Sequence, residues 1–149
     1  MQVKIRAMSM HDYAEVRALW ERSPGVGLNE SDSREAIIAF LERNPELSAV
    51  AVAGERIVGA VLCGHDGRRG YLHHLAVEAS DRGQGIAREL LGRCLRGLAE
   101  RGIPKCNVLL FSDNELGAAF WQHNGWISRS DLRVFQRPIS STVGASPAA

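Results

Sequence analysis

The spacing of apolar side chains changes repeatedly along this chain, and each change marks an element. Val3 and Ile5 alternate with polar neighbours, which predicts a short strand. Ser9 and Asp12 stand at the spacing of a capping box, and Tyr13, Val16, Leu19 and Trp20 follow at helical intervals, so residues 10–22 read as a helix. The stretch SPGVGLNE breaks it with Pro24, Gly25 and Gly27. Ser31 or Asp32 is expected to cap a second helix that carries Ile37, Ile38 and Leu41. Asn44-Pro45 ends it, because a residue before proline resists helical torsions. SAVAVA and IVGAVLCG, joined by a turn at Gly54, read as two strands, and GYLHHLAV as another. Residues 84–101 carry the strongest helical signal. Ile86, Leu90, Leu91, Cys94, Leu95 and Leu98 form one stripe, with Arg88, Arg93, Arg96 and Glu100 largely off it. Gly102 and Pro104 stop that helix. KCNVLLF predicts a strand, Asn114 opens a helix to about Asn124, and Gly125 caps its end. Short strands are expected near WISR and LRVFQR.

This order predicts an α/β (α+β) chain, a mixed sheet covered by helices. The 149 residues suit one domain, placed at 1–138, with a loose small-residue tail at 139–149. Lys+Arg 18 against Asp+Glu 17 leaves +1, which disfavours a dedicated nucleic-acid binder. No apolar run is long enough for a membrane span and MQVKIRAMSM lacks the pattern of a secretory signal, so neither a membrane partner nor export is expected. Cys63, Cys94 and Cys106 lie far apart in apolar runs. They are expected to be buried, reduced thiols of a cytoplasmic protein, with no metal site.

Candidate chemistry gathers in LAVEASDRGQGIARELL. A strand runs into Arg82-Gly83-Gln84-Gly85-Ile86-Ala87 and a helix begins at once. Glycines permit close backbone approach, and the first amides of a helix have no internal partners, so this turn suits a pyrophosphate. A P-loop would need Gly-Lys-Ser/Thr, which is absent. The dinucleotide fingerprint GxGxxG would need a glycine where Arg88 stands. The sequence Arg82-x-x-Gly85-x-Ala87 instead closely resembles the acetyl-CoA loop of the GNAT N-acetyltransferase superfamily. A second motif of that family is similar to the run from Asn114 through Phe120-Trp121 to Gly125-Trp126, and GHDGRRG resembles its small stand-alone bacterial, YpeA-like members.

The resemblance implies a mixed, mostly antiparallel sheet of about seven strands flanked by four helices and splayed between strands 4 and 5. It implies acetyl-CoA as cosubstrate, held by Leu75, Ala76 and Val77 along its arm, by Arg82, Gly83, Gln84, Gly85, Ile86, Ala87 and Arg88 at the pyrophosphate, and by Asn114. Asn114 has a helix-capping reading of its own. The reaction implied is direct transfer of the acetyl group to a primary amine: a protein N-terminus, a lysine, an amino acid or a small amine. A homodimer is compatible with this, and a non-catalytic acyl-CoA-binding sensor or regulatory domain on the same fold is the alternative. Three positions depart from the family pattern: Ala79 for proline, Gly117 for alanine, and Trp121 for the tyrosine that often serves as acid. Indole donates a hydrogen bond but does not give up its proton. His73 holds the place where a carboxylate base is common, and His74 follows it. Strand alternation predicts that the two point to opposite faces unless a bulge intervenes, with His73 as the base. Asn29, Glu30, Asp32 and Tyr71 are the candidates for binding the amine.

Overall fold

The computed structural model of the chain describes residues 2–139. Its residues fall into two units, residues 2–113 and residues 114–139.

The first unit is built on a five-stranded sheet in the order β1-β2-β3-β4-β5. Its strands are β1 (Val3–Ala7), β2 (Ala49–Ala53), β3 (Arg56–His65), β4 (Gly70–Val77) and β5 (Cys106–Val108). The pairs from β1 to β4 are antiparallel, and β4 and β5 are parallel. Helices α1 (Tyr13–Glu21) and α2 (Arg34–Arg43) lie between β1 and β2 in the chain, and α3 (Ile86–Glu100) between β4 and β5.

The alternation of each strand divides the core into two layers. On one side Val16, Leu19, Trp20 and Ile37 meet Val50, Ile57, Ala60, Leu62 and Ala76, all nearly inaccessible. On the other, the apolar stripe of α3 closes on the sheet. A β-carbon at Gly59 would lie 3.1 Å from Leu90 and 3.2 Å from Ile86. The α3 helix follows its predicted stripe, except that Leu95 is exposed.

The caps differ from expectation in one place. Ser33, not Ser31 or Asp32, caps α2 by accepting from the Ala36 amide at 3.2 Å. Residues 30–32 form a separate 3-10 turn, in which Asn29 and Asp32 make the reciprocal capping box.

The strand count is corrected too. Among the described residues the sheet has five strands rather than seven, and KCNVLLF supplies only Cys106–Val108. Among the described residues no strand occupies 126–137, where Ile127, Leu132, Val134 and Phe135 are exposed. Alternation marks which face a strand would bury, but a strand also needs a partner for its ladder. Of the tail expected at 139–149, residues 140–149 lie outside the described residues.

The second unit holds α4 (Glu115–His123). Asn114 caps it by accepting from the Gly117 amide at 2.8 Å. A β-carbon at Gly117 would stand 2.7 Å from the Asn114 side chain, so a larger residue there would need that side chain to shift. Trp121 packs edge-on against Trp126 with centroids 4.8 Å apart.

Candidate functional site

Recorded pairing between β4 and β5 covers three positions and ends at Leu72↔Val108. From His73 to Val77, β4 therefore shows no strand partner on its β5 side. An extended chain of acceptors and donors could add along that edge, as a further strand would.

The same stretch of β4 is bulged. Leu62 pairs with His73 and Ala60 with Ala76, so two residues of β4, His74 and Leu75, oppose Val61 alone. His74 takes up the extra length at φ 55, one of two non-glycine residues with positive φ among the described residues. The bulge overturns the expectation that the two histidines face opposite ways. Both turn to the α1/α2 side: the His73 ring lies 6.1 Å from Phe40, and the His74 ring 5.0 Å from Trp20.

Their surroundings differ. His73 is stacked on Tyr71 at 6.4 Å and bordered by Phe40. Burial among these rings, with His74 beside it, pulls its pKa below the ordinary value of 6.5. Between that lowered pKa and 6.5 the unfolded chain binds more protons than the folded one, so stability rises with pH through this window and is lost on acidification. The midpoint of urea unfolding is therefore expected to fall between pH 7 and pH 5, and to fall less in His73→Phe. Equal slopes in the two proteins would show that His73 is not held neutral.

His74 Nε2 stands 2.9 Å from Asp32 Oδ1, and the His74 carbonyl accepts from the Trp20 indole at 2.9 Å. Asp32 is 3% exposed. Its second oxygen accepts from the Asn29 amide at 3.0 Å, while the Asn29 side chain accepts from the Ser31 amide at 2.8 Å. Asp32 and Asn29 are thus engaged in holding the loop and β4 together, whereas Glu30 is exposed. Sequence reasoning had placed Trp20 simply on the apolar stripe of its helix; its contact with His74 joins residues 54 apart and leaves no local signal.

After Val77 the chain makes a 3-10 turn at Ala79–Asp81 and reaches the glycine loop. Gly83 and Gly85 both adopt φ 80, and neither has any atom within 4 Å of where a β-carbon would stand. Gly85 is the N-cap of α3 and offers no side-chain cap. The helix begins its bonding with the Glu89 amide to the Gly85 carbonyl at 3.0 Å, which leaves the amides of Ile86, Ala87 and Arg88 without an intrahelical acceptor. Two nearby carboxylates are paired, while Glu89 in the first turn of α3 is exposed and makes no ion pair among the described residues. Glu78 pairs with Arg22, which holds its pKa below the usual carboxylate range, and Asp81 lies 3.6 Å from Arg56. Arg82 bonds back to the Val77 carbonyl at 3.3 Å. Arg88, Arg93 and Arg96 line, with Glu89, Gly85 and Gly92, a groove of about 720 Å³. The loop thus combines open donors, the positive end of α3 and an excess of guanidinium groups over carboxylates, an arrangement suited to phosphate.

The thiols stand apart from this chemistry. Cys63 and Cys94 are buried, and hydrogen bonding to Cys94 together with burial raises the Cys63 pKa. Burial pushes half-buried Cys106 up to about 12. All three are free thiols. Among the described residues no cluster of three or more His, Cys, Asp or Glu side chains is placed to hold a metal. No helix among them is long and apolar enough to cross a membrane.

Comparison with known proteins agrees with this geometry. The profile of the acetyltransferase (GNAT) family matches residues 13–126. An acetyltransferase of Yersinia enterocolitica is 36% identical over 137 residues, covering 92% of this chain and 96% of the relative. One from Photorhabdus laumondii is 36% identical over 117 residues, covering 76% and 78%. Among solved structures, the PaiA N-acetyltransferase of Thermoplasma acidophilum in complex with coenzyme A superposes with a TM-score of 0.74 at 20% identity, covering 84% of this chain and 89% of that one. A predicted acetyltransferase of Clostridium acetobutylicum with acetyl-CoA gives a TM-score of 0.72 at 20% identity, covering 91% and 96%. At such identities the likeness is one of fold.

Proposed function

Since the chain belongs to the GNAT acetyltransferase family, we propose that it transfers the acetyl group of acetyl-CoA directly to a primary amine, on a protein N-terminus, a lysine, an amino acid or a small molecule. The observation that carries this reading is the glycine loop: two residues at φ 80 with open space beside them, feeding the uncapped start of α3 straight from the unpaired edge of β4.

In this proposal the amides and cations from Arg82 to Arg88 hold the pyrophosphate. The free edge at Leu75, Ala76 and Val77 takes the pantetheine arm as an added strand, sheet parting between β4 and β5 as the family resemblance implies. A backbone N–H there stabilises the oxyanion of the tetrahedral intermediate. One histidine of the pair on the α1/α2 side supplies the proton acceptor that an ammonium substrate requires. Tyr71, Asn29 and Glu30 border the acceptor, and Glu30 attracts its charge. Asn114 and Trp121 keep the roles the resemblance implies, contact with the cosubstrate arm and hydrogen-bond donation to the departing sulfur.

The test is a panel of amines and peptides read by release of free CoA thiol, with mass spectrometry locating the acetyl group. Turnover with an acetylated amine supports the proposal. Binding of acetyl-CoA with no transfer to any amine favours the non-catalytic acyl-CoA sensor. Trp121→Tyr is expected to keep or raise turnover, because it restores a hydroxyl acid at modest packing cost. A collapse of activity with cosubstrate binding intact would show that indole itself is required.

A further inference from the structure

His74 is held by more than its packing needs. Its backbone sits in the left-handed region, at φ 55, which residues with a side chain rarely adopt. Three contacts keep it there: the Trp20 indole on its carbonyl, the Trp20 ring against its imidazole, and Asp32 on Nε2 at 2.9 Å. A strained residue fixed by several independent partners is a common sign of a functional position.

Asp32 is fixed as firmly. The Asn29 amide occupies its other carboxylate oxygen, and its backbone carbonyl accepts from the Tyr13 hydroxyl and from Arg17 at 3.0 Å. A carboxylate can only accept, so the hydrogen of the His74–Asp32 bond belongs to Nε2. The lone pair of the neutral ring is then on Nδ1. That nitrogen makes no hydrogen bond to the described residues. The only buried side-chain nitrogen or oxygen without a partner among them is Arg93 Nε, so Nδ1 is not sealed off, on a side chain that is 16% exposed. His73 has no such orienting partner and is flanked by Tyr71 and Phe40.

We infer that Asp32 is a positioning residue that fixes His74 with its Nδ1 lone pair free, and that His74, rather than His73, accepts the proton from the amine. The inference rests on the acetyl-transfer reading for its chemistry, though not for its geometry. The ammonium form of the substrate gives one proton to Nδ1, directly or through water. The amine lone pair forms the C–N bond and the C–S bond breaks. The second nitrogen-bound proton passes to the departing thiolate, and the proton on His74 returns to solvent. The ionisable groups around the ring are Asp32 from the 3-10 turn, Tyr13 and Arg17 from α1 acting through the Asp32 carbonyl, and His73 from β4 itself.

Asp32→Asn separates positioning from mere structure, because an amide nitrogen donating to Nε2 drives the ring proton to Nδ1. The experiment compares wild type, Asp32→Asn, His74→Gln and His73→Phe, by imidazole ¹⁵N–¹H correlation spectra and by kcat/KM against pH with acceptors of different pKa. We expect the Nε2–H tautomer at His74 in the wild type and Nδ1–H in Asp32→Asn. We expect Asp32→Asn and His74→Gln each to lose about 10²-fold in kcat with little change in the KM for acetyl-CoA, and to lose the ascending pH limb that His73→Phe retains. A wild-type Nδ1–H tautomer overturns the inference. So does a loss of that limb only in His73→Phe. If the wild type acetylates no amine, the acetyl-transfer reading and the proton-acceptor role fall together, while the tautomer spectra still decide whether Asp32 positions His74.

Discussion

Gly85→Val is expected to abolish the rise in melting temperature that acetyl-CoA gives the wild type. A ligand at one hundred times its dissociation constant stabilises the folded state by about 2.7 kcal/mol. For a chain of this size that amounts to roughly 5–10 °C. Gly85 caps α3 at φ 80, ψ 10, and no atom lies within 4 Å of the point where a side chain would begin. The valine would meet nothing in the protein, and its branches would fill the space through which a phosphate reaches the open amides. Positive φ also strains a β-branched residue, so the unliganded variant should melt lower than the wild type. Gly102→Val controls for that strain. Gly102 has φ 77 and equally open surroundings, but follows the far end of α3. It should lower the melting temperature and leave the acetyl-CoA shift intact. A full shift in Gly85→Val would remove the loop from the cosubstrate site.

Trp20→Ala is expected to cost about 3–5 kcal/mol, among the largest losses a single truncation can produce. Trp20 is 1% exposed and fills the layer between α1 and the sheet. Its indole also satisfies the His74 carbonyl at the bulge. Trp20→Phe separates these contributions, since phenylalanine keeps much of the apolar volume and removes the donor. It should cost about 1–3 kcal/mol, the usual penalty for stranding a buried acceptor, on top of a modest packing loss. Urea unfolding of the two variants measures both. A Trp20→Phe protein as stable as the wild type would mean that the His74 carbonyl finds another partner and that the bulge does not depend on the indole.

Features governed by short-range pattern were legible in the sequence. The stripe of α3 gave its buried face, with only Leu95 misplaced, and the glycine spacing at 83 and 85 marked the turn that the fold realises. The Asn114 cap was equally local. Where reading failed, the deciding interaction was distant or depended on a partner. Alternation across His73 and His74 assumes a period of two, and nothing in GYLHHLAV announces an extra residue. The bulge becomes visible only against the pairing with β3. Asp32 looked like a cap because acidic residues favour helix starts, but three cap-forming residues stand in a row and Ser33 took that place. Asp32 instead reaches a histidine 42 positions away, which no local rule encodes.

The bulge also sets how β4 tolerates a change of length. On either side of it the ladder with β3 is regular, Leu62 opposite His73 and Ala60 opposite Ala76, and only the pair His74–Leu75 shares one partner. Removing a residue at Leu72 would slide part of the strand past its neighbour and turn its side chains over. Removing His74 would do neither, because Leu75 alone could then face Val61 while both flanks kept their register. The strand is therefore complete, as a piece of sheet, without His74. A position that the ladder does not need escapes the demands that pairing makes on its neighbours, and it can be given over entirely to what its side chain does.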